Sequence, residues 1–187
     1  MTDRLLLLAD DLTGCLDAAV QFSRAGVSVL VTAENPVAIT DPRPGVVAAD
    51  LESRHLAPAQ AAARVEECVR AAARAGIRRF YKKTDSTLRG NVGAELCSLI
   101  RATGFQELYF VPALPDADRI TRGGIQYVEG LPLDRSRYAR DAVDPVREAS
   151  VEAIIASQTS VAVTVVSRGS DPAPALRKWT CHYRWPS

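Results

Sequence analysis

Histidine, cysteine and lysine are all scarce in this sequence. The small numbers of histidine and cysteine residues argue against some kinds of metal and disulfide site. The chain has two histidines and four cysteines in 187 residues, and no Cys-x-x-Cys pair occurs. The cysteines are Cys15, Cys68, Cys97 and Cys181. So few and so widely spaced ligands argue against a zinc site or a disulfide framework, and they predict reduced thiols, as in a cytoplasmic protein. We therefore expect no metal site in this chain.

The sequence also lacks an excess of charge and a long apolar run. Its formal net charge is +1, which gives no long-range attraction for nucleic acid or for an anionic membrane. No stretch approaches the roughly 20 apolar residues of a membrane-spanning helix. The apolar run near the N-terminus stops at Asp10 and is too short for a signal peptide. These features predict a cytoplasmic protein that binds neither nucleic acid nor membrane.

What the sequence does contain is a regular alternation of strand and helix patterns. Short apolar runs predict strands at 4–10, 27–32, 45–50, 78–84 and 107–112. Apolar residues at helical spacing follow the first, third and fourth of these runs, and a glycine closes each predicted helix. This alternation predicts an α/β fold with a doubly wound, mostly parallel sheet flanked by helices.

The pattern changes beyond residue 113. A glycine-turned hairpin is predicted near 123–133, a short helix capped by Ser150 at 150–158, and a last strand at 160–166. Residues 167–187 show no periodicity, and we expect an irregular tail there. The predicted domain therefore covers residues 1–166.

Four polar clusters directly follow predicted strands. They are ADDLTG at 9–14, DLESR at 50–54, KKTDSTLRG at 82–90 and PALPDADR at 112–119. In a parallel α/β sheet the carboxyl ends of the strands lie at one edge, and ligands bind there. We therefore expect the four clusters to contribute to a single binding site.

The first cluster sets two carboxylates at the end of a strand that is predicted to be buried. Burying charge without a partner is costly. Asp10 and Asp11 are therefore predicted to accept hydrogen bonds from substrate hydroxyls or to act as a base. The alternative is local: Thr13 would cap the following helix, and Asp11 would interact with the helix dipole.

The third cluster combines cations, an anion and hydroxyl groups. Lys83 and Arg89 can pair with a carboxylate or a phosphate, while Asp85 and Ser86 offer hydrogen-bond partners to hydroxyls. The helix predicted to begin near Asn91 would add free N–H groups for an anion. The alternative is a capped loop whose charges pair internally.

These segments together resemble the N-terminal domain of the four-carbon acid sugar kinases. The resemblance extends from about Leu5 to about Val166 and is carried, in chain order, by ADDLTGCLDAAVQF, ESR, YKKTDSTLRGNVGAEL and PALPDADRITRGGIQYVEGLPL, followed by YARD and DPV. Members of this family phosphorylate acids such as threonate, erythronate and 3-oxo-tetronate. The KKTDSTLRGN segment looks more like the threonate and erythronate kinases.

The resemblance implies roles for individual residues. The side chains expected to bind the sugar hydroxyls and hold the carboxylate are Asp10, Thr13, Arg54, Lys83, Ser86, Arg89 and Arg119. An aspartate would receive the proton of the hydroxyl that is phosphorylated. The candidates for this catalytic role are Asp11 and then Asp85.

The resemblance also implies a C-terminal domain that binds ATP and Mg²⁺, and the family pattern does not continue beyond Val166. We expect that domain to be absent here, and the chain to bind a small acid sugar without phosphorylating it alone. The alternatives are a non-catalytic acid-sugar-binding module and a truncated remnant without a ligand. A domain face left uncovered would favour a homo-oligomer.

Overall fold

A computed structural model describes residues 4–33 and 39–166 of the chain. The chain divides into two compact units, Met1–Thr84 and Asp85–Ser187. The boundary falls inside the KKTDSTLRGN segment, so the range predicted as one domain contains both the first unit and part of the second. The predicted tail at 167–187, which includes Cys181, lies outside the described residues.

The first unit contains a parallel sheet and two helices. Its strands are β1 (Leu5–Ala9), β2 (Val29–Ala33), β3 (Val46–Asp50) and β4 (Arg79–Lys83), in the order β2-β3-β1-β4. The helices α1 (Leu12–Arg24) and α2 (Pro58–Arg74) follow β1 and β3. The register pairs Ala9 with Asp50 on one side and with Lys83 on the other. The carboxyl ends of three neighbouring strands therefore lie side by side, as the sequence predicts.

The apolar run of β1 explains its central place in this sheet. Its residues from Leu6 to Ala9 are fully buried, and a strand that is buried on both faces needs an apolar side chain at every position. On one face, α1 packs Cys15, Ala18 and Ala19 against the sheet. These side chains are small, so the helix can lie close to the strands.

The second unit combines two helices with an antiparallel sheet. The helices are α3 (Val92–Thr103) and α4 (Val151–Ala156), and the strands are β5 (Arg119–Arg122), β6 (Ile125–Val128) and β7 (Leu131–Pro132). The predicted hairpin is confirmed between β6 and β7, and β5 adds a third strand. Gly123 and Gly124 join β5 to β6 with φ angles of 57° and 78°, the left-handed conformation that a tight two-residue hairpin turn requires.

Two predicted strands are wrong, because neither 107–112 nor 160–166 forms a strand. In the first segment Leu108 and Phe110 pack against the core of the second unit, whereas Tyr109 and Val111 are exposed. The alternation that predicts a strand is therefore real. It records burial on one side of an extended segment, and periodicity alone does not establish pairing with a neighbouring strand.

The three cysteines of the described ranges are buried and form no disulfide with one another. Burial raises the pKa of Cys15 to about 11 and that of Cys68 to about 12, and nearby carboxylates add to both shifts. Both side chains are therefore protonated, inert core thiols at neutral pH. In residues 4–33 and 39–166, no helix is both long and apolar enough to cross a membrane.

The N-terminus of α3 is capped by a side chain from beyond α4. The Gln158 Oε1 accepts hydrogen bonds from the N–H groups of Gly93 (2.7 Å) and Ala94 (3.3 Å), and its Nε2 donates to the carbonyl of Gly90 (2.9 Å). The prediction that this helix end offers free N–H groups to an anion is therefore wrong for these two amides.

We expect Gln158→Ala to lower the free energy of unfolding by about 1–2 kcal/mol, because two helix N–H groups and one carbonyl lose their partner. Urea unfolding followed by circular dichroism measures this change. Gln106→Ala, at an exposed position after α3, is the matched control and should change stability by less than about 0.5 kcal/mol. Equal losses in the two variants would contradict the capping role.

Candidate functional site

One arginine holds both carboxylates at the end of β1. Arg54, in the loop after β3, donates from Nε to Asp10 Oδ2 (2.8 Å) and from Nη1 to Asp11 Oδ2 (2.7 Å). The backbone N–H groups of Ser53 and Arg54 donate to the Asp10 carbonyl. Arg54 and Asp10 are largely buried, which strengthens the pairing because water screens it less. The structure thus brings together three of the predicted site residues.

One oxygen of this cluster has no partner. Asp10 is 3% exposed, and its Oδ1 is buried without a hydrogen-bond donor. A buried polar atom in that state costs about 1–3 kcal/mol, and more when the group is charged. The Asp10 Oδ1 is therefore an unsatisfied hydrogen-bond acceptor.

Asp11, rather than Thr13, caps α1. Its Oδ1 accepts a hydrogen bond from the N–H of Gly14 (2.8 Å), so the alternative in which Thr13 caps this helix is wrong. Thr13 itself lies exposed in the first turn. A Cβ atom on Gly14 would stand 2.7 Å from Asp11 Oδ1 and 3.4 Å from Lys83 Nζ. The glycine therefore lets the cap form and lets the lysine approach.

Lys83 brings a positive charge to the start of α1. Its Nζ donates to the carbonyl of Thr84 (2.8 Å), and the Nζ of Lys82 donates to the carbonyl of Lys83 (2.8 Å). Lys83 is half-buried, and its ammonium group lies beside Gly14. The predicted proximity of Lys83 to the ADDLTG cluster is therefore confirmed.

Asp50 is a buried acid for which the sequence predicts no role. It ends β3, is 2% exposed, and accepts a hydrogen bond from the Glu52 N–H (3.0 Å). Burial raises the pKa of Asp50 to about 6, against the effect of that hydrogen bond, and the charges of Glu52 and Asp11 raise it further. An acid that closes an apolar strand is the same signal that singled out Asp10, and it could have found Asp50.

In the second unit, two acids surround Arg89. Its Nε donates to Asp85 Oδ2 (2.5 Å), and its Nη1 donates to Asp141 Oδ2 (3.3 Å). The Thr87 hydroxyl also donates to Asp85 Oδ2 (2.6 Å). The internal pairing that the sequence leaves open as an alternative is therefore present, and Arg89 is not an uncompensated cation.

Ser86 is held in this unit through its backbone. Its carbonyl accepts a hydrogen bond from Gln126 Nε2 (2.9 Å), and the Thr121 hydroxyl donates to Gln126 Oε1 (2.6 Å). Gln126 is fully buried. The loop turns tightly at Leu88, whose φ of 56° is left-handed and strained for a residue with a side chain.

Arg119 lies against Tyr138, the first residue of the YARD segment, for which the sequence predicts no role. Its Nη2 donates to Tyr138 Oη (2.8 Å), and its Nη1 donates to the carbonyl of Ala117. The Nε of Arg119 is buried without an acceptor. No spacing pattern links Arg119 to Tyr138, so the sequence offers no signal for this contact.

The described residues do not fit a metal ion. In the two described ranges, no group of three or more His, Cys, Asp or Glu side chains is arranged to hold one. The positive charge between Asp10 and Asp11 is supplied by Arg54. The two carboxylates at the end of β1 are thus paired with a guanidinium group and not arranged around Mg²⁺.

Comparison with known families identifies this kind of domain. A model described as a sugar-binding N-terminal domain matches residues 5–179. The chain belongs to this family. Its named relatives are acid sugar kinases, as the resemblance implies.

Two relatives show how much of a kinase this sugar-binding N-terminal domain represents. It is 38% identical to a D-threonate kinase of Bordetella bronchiseptica, with 92% of this chain and 43% of the kinase covered. It is 35% identical to a D-erythronate kinase of Heliobacterium modesticaldum, with 85% and 37% covered. The sugar-binding N-terminal domain thus spans less than half the length of these relatives.

Solved structures share the fold. A Bordetella bronchiseptica protein of 37% identity matches with a TM-score of 0.80, covering 91% of this chain and 43% of its own; it was solved with bound citrate as a domain-swapped dimer. A Haemophilus influenzae protein of 22% identity matches with a TM-score of 0.76 over 83% of this chain and 39% of its own. The α/β fold of the sugar-binding N-terminal domain is therefore confirmed.

The raised pKa of Asp50 predicts a pH-dependent stability. The folded value of about 6 lies above the ordinary value of 3.8, so the folded chain holds this proton more tightly. The contribution of Asp50 to stability therefore falls as the pH rises from about 4 to 6. We expect Asp50→Asn to match the unaltered protein near pH 4 and to be more stable by about 1–2 kcal/mol at pH 7.5.

Urea unfolding at the two pH values measures this difference. Asp17→Asn, on the exposed side of α1, is the matched control for removing a carboxylate, and the gain for Asp50→Asn should exceed it. A stability difference for Asp50→Asn that does not grow with pH would show that burial of Asp50 does not carry this cost.

Proposed function

We propose that this domain binds the acid substrate of an ATP-dependent kinase that phosphorylates a four-carbon acid sugar, such as D-threonate or D-erythronate. The observation that carries the proposal is the buried Asp10 Oδ1 without a donor. A polyhydroxy acid supplies hydroxyl donors of the kind that this oxygen lacks. The names of the relatives support the same substrate class.

We assign the binding of hydroxyl groups first to Asp10, which Arg54 orients through its bond to Oδ2. The remaining residues of the proposed substrate-binding set are Thr13, Arg54, Lys83, Ser86, Arg89 and Arg119. Hydrogen bonds to charged groups contribute about 1.5–3 kcal/mol each, so a few of them are enough to bind a small acid.

Of the two candidate bases, we propose Asp11 ahead of Asp85. The Asp11 side chain is 26% exposed, and that of Asp85 is 11% exposed. A base must come within hydrogen-bond reach of the hydroxyl whose proton it receives, which favours the more accessible carboxylate. Both oxygens of Asp11 have partners, in Gly14 and Arg54, that hold the carboxylate in place.

We propose that ATP and Mg²⁺ bind in the part of the kinase that this chain does not span. When bound there, they would supply the phosphoryl group that is transferred. The citrate in the Bordetella bronchiseptica structure supports the substrate class, because citrate is also a hydroxy acid. The domain-swapped dimer of that protein supports a homo-oligomer here.

We expect Asp10→Asn to bind D-threonate and D-erythronate at least about 10-fold more weakly, because the substrate hydroxyl loses a charged acceptor. Isothermal titration calorimetry on the 187-residue chain measures both affinities. Asp17→Asn removes the same charge from the exposed surface of α1 and should bind as the unaltered protein does. Unchanged affinity in folded Asp10→Asn would refute the role of Asp10.

We also expect no ADP release when the 187-residue chain is mixed with ATP, Mg²⁺ and D-threonate. The described residues provide no carboxylate cluster for the metal, and the chain spans 43% of the D-threonate kinase that it matches. A coupled assay for ADP measures the rate. Steady turnover by this polypeptide alone would overturn the proposal that the rest of the kinase supplies the ATP site.

A further inference from the structure

Three arginines surround Tyr138 in the second unit. The Cζ atoms of Arg137, Arg89 and Arg119 lie 5.2, 5.5 and 5.8 Å from the centroid of the tyrosine ring. A guanidinium group near an aromatic face is attracted to the ring electrons, but three such groups around one ring also repel one another. Whether each arginine has a carboxylate partner within the chain therefore determines whether the cluster can bind an anion.

Two of the three arginines are compensated within the chain. Arg89 pairs with Asp85 and Asp141. Backbone N–H groups, and then the charge of Arg89, lower the pKa of Asp141, which keeps this partner ionised. Arg137 pairs with Glu129 at 3.1 Å. Neither arginine needs a further anion.

Arg119 differs from both, because it has no carboxylate partner in the described chain. Its contacts are the Ala117 carbonyl and the Tyr138 hydroxyl, and its Nε is buried without an acceptor. A half-buried guanidinium without a counter-charge, one of whose donors is fully buried without an acceptor, is unfavourable. Arg119 therefore carries both an uncompensated charge and an unused donor.

The Tyr138 hydroxyl adds a second donor at the same place. Its oxygen accepts N–H groups from Arg119 (2.8 Å) and Arg137 (3.4 Å). Because both partners are donors, the hydroxyl hydrogen must point to a different acceptor, and none of the described residues supplies one. An uncompensated cation beside a free hydroxyl hydrogen matches an oxyanion.

We propose that Arg119 and the Tyr138 hydroxyl bind the carboxylate of the acid substrate. The identity of the ligand rests on the proposed function, while the assignment rests on the charges and donors of the second unit. In this assignment the substrate carboxylate binds Arg119 and not Arg89, because the charge of Arg89 is already paired. Tyr138 is added to the proposed substrate-binding residues.

Calorimetric titration of the 187-residue chain with D-threonate tests this assignment. We expect Arg119→Gln to weaken binding at least about 10-fold and Tyr138→Phe, which keeps the ring, to weaken it about 3- to 10-fold. Arg122→Gln, at an exposed position of the same strand, is the matched control and should change affinity less than about 2-fold. Circular dichroism melting curves confirm that each variant is folded.

An NMR measurement separates a direct contact from an effect on folding. The ¹⁵N–¹H signal of the Arg119 Nε, assigned by its loss in Arg119→Gln, should shift as D-threonate is added to the unaltered protein. D-threitol, which has a hydroxymethyl group in place of the carboxylate, should leave the signal in place. A signal that ignores D-threonate while the acid binds would overturn the assignment.

The outcomes also distinguish this inference from the proposed function. If D-threonate binds, Asp10→Asn weakens it, and both Arg119→Gln and Tyr138→Phe bind normally, the inference fails and the proposed function stands. If neither D-threonate nor D-erythronate binds to the unaltered chain at 10 mM (roughly the range of a weak small-ligand site), the proposed function fails, and the carboxylate assignment fails with it.

Discussion

The bridge that Arg54 forms between Asp10 and Asp11 is the interaction on which the first unit's site depends. Two adjacent carboxylates at the end of a buried strand repel each other and lose hydration, and a single guanidinium offsets both costs. The planar fork of arginine can serve two carboxylates at once, which a lysine ammonium does less well. The same residue anchors the loop after β3 to the carbonyl of Asp10.

The other groups at this end of the sheet follow from that bridge. With its Oδ2 on Arg54, Asp11 uses Oδ1 to cap α1, and Gly14 leaves room for Lys83. Asp50 ends the neighbouring strand, and its pKa is raised first by burial and then by the nearby carboxylates. One acceptor, the Asp10 Oδ1, is left without a donor. A hydroxyl group is the simplest ligand that corrects this imbalance.

The second unit has the opposite imbalance. Around Tyr138 it gathers arginines, and two of them are neutralised by acids while Arg119 is not. Two glutamines organise the backbone there: the buried Gln126 donates to the carbonyl of Ser86, and the half-buried Gln158 caps α3. The groups without a partner there are hydrogen-bond donors, and one of them carries a positive charge. A hydroxy acid has hydroxyl groups that can donate to an acceptor such as the Asp10 Oδ1. It also has a carboxylate that can accept from donors such as Arg119 and the Tyr138 hydroxyl.

Residue types and local spacing were enough to predict the α/β class, the buried first strand and the Ser150 cap of α4, and the resemblance of the ordered motifs indicated the family. Packing decided the partners, which lie far apart in the chain. Arg54 is 44 residues from Asp10, Asp141 is 52 from Arg89, and Gln158 is 65 from Gly93. Periodicity reports which side of a segment is buried and not which residue it meets. Periodicity therefore placed the polar clusters at strand ends but gave no partner for Tyr138, did not decide the pairing of Arg89, and predicted a strand where the backbone at 107–112 is irregular.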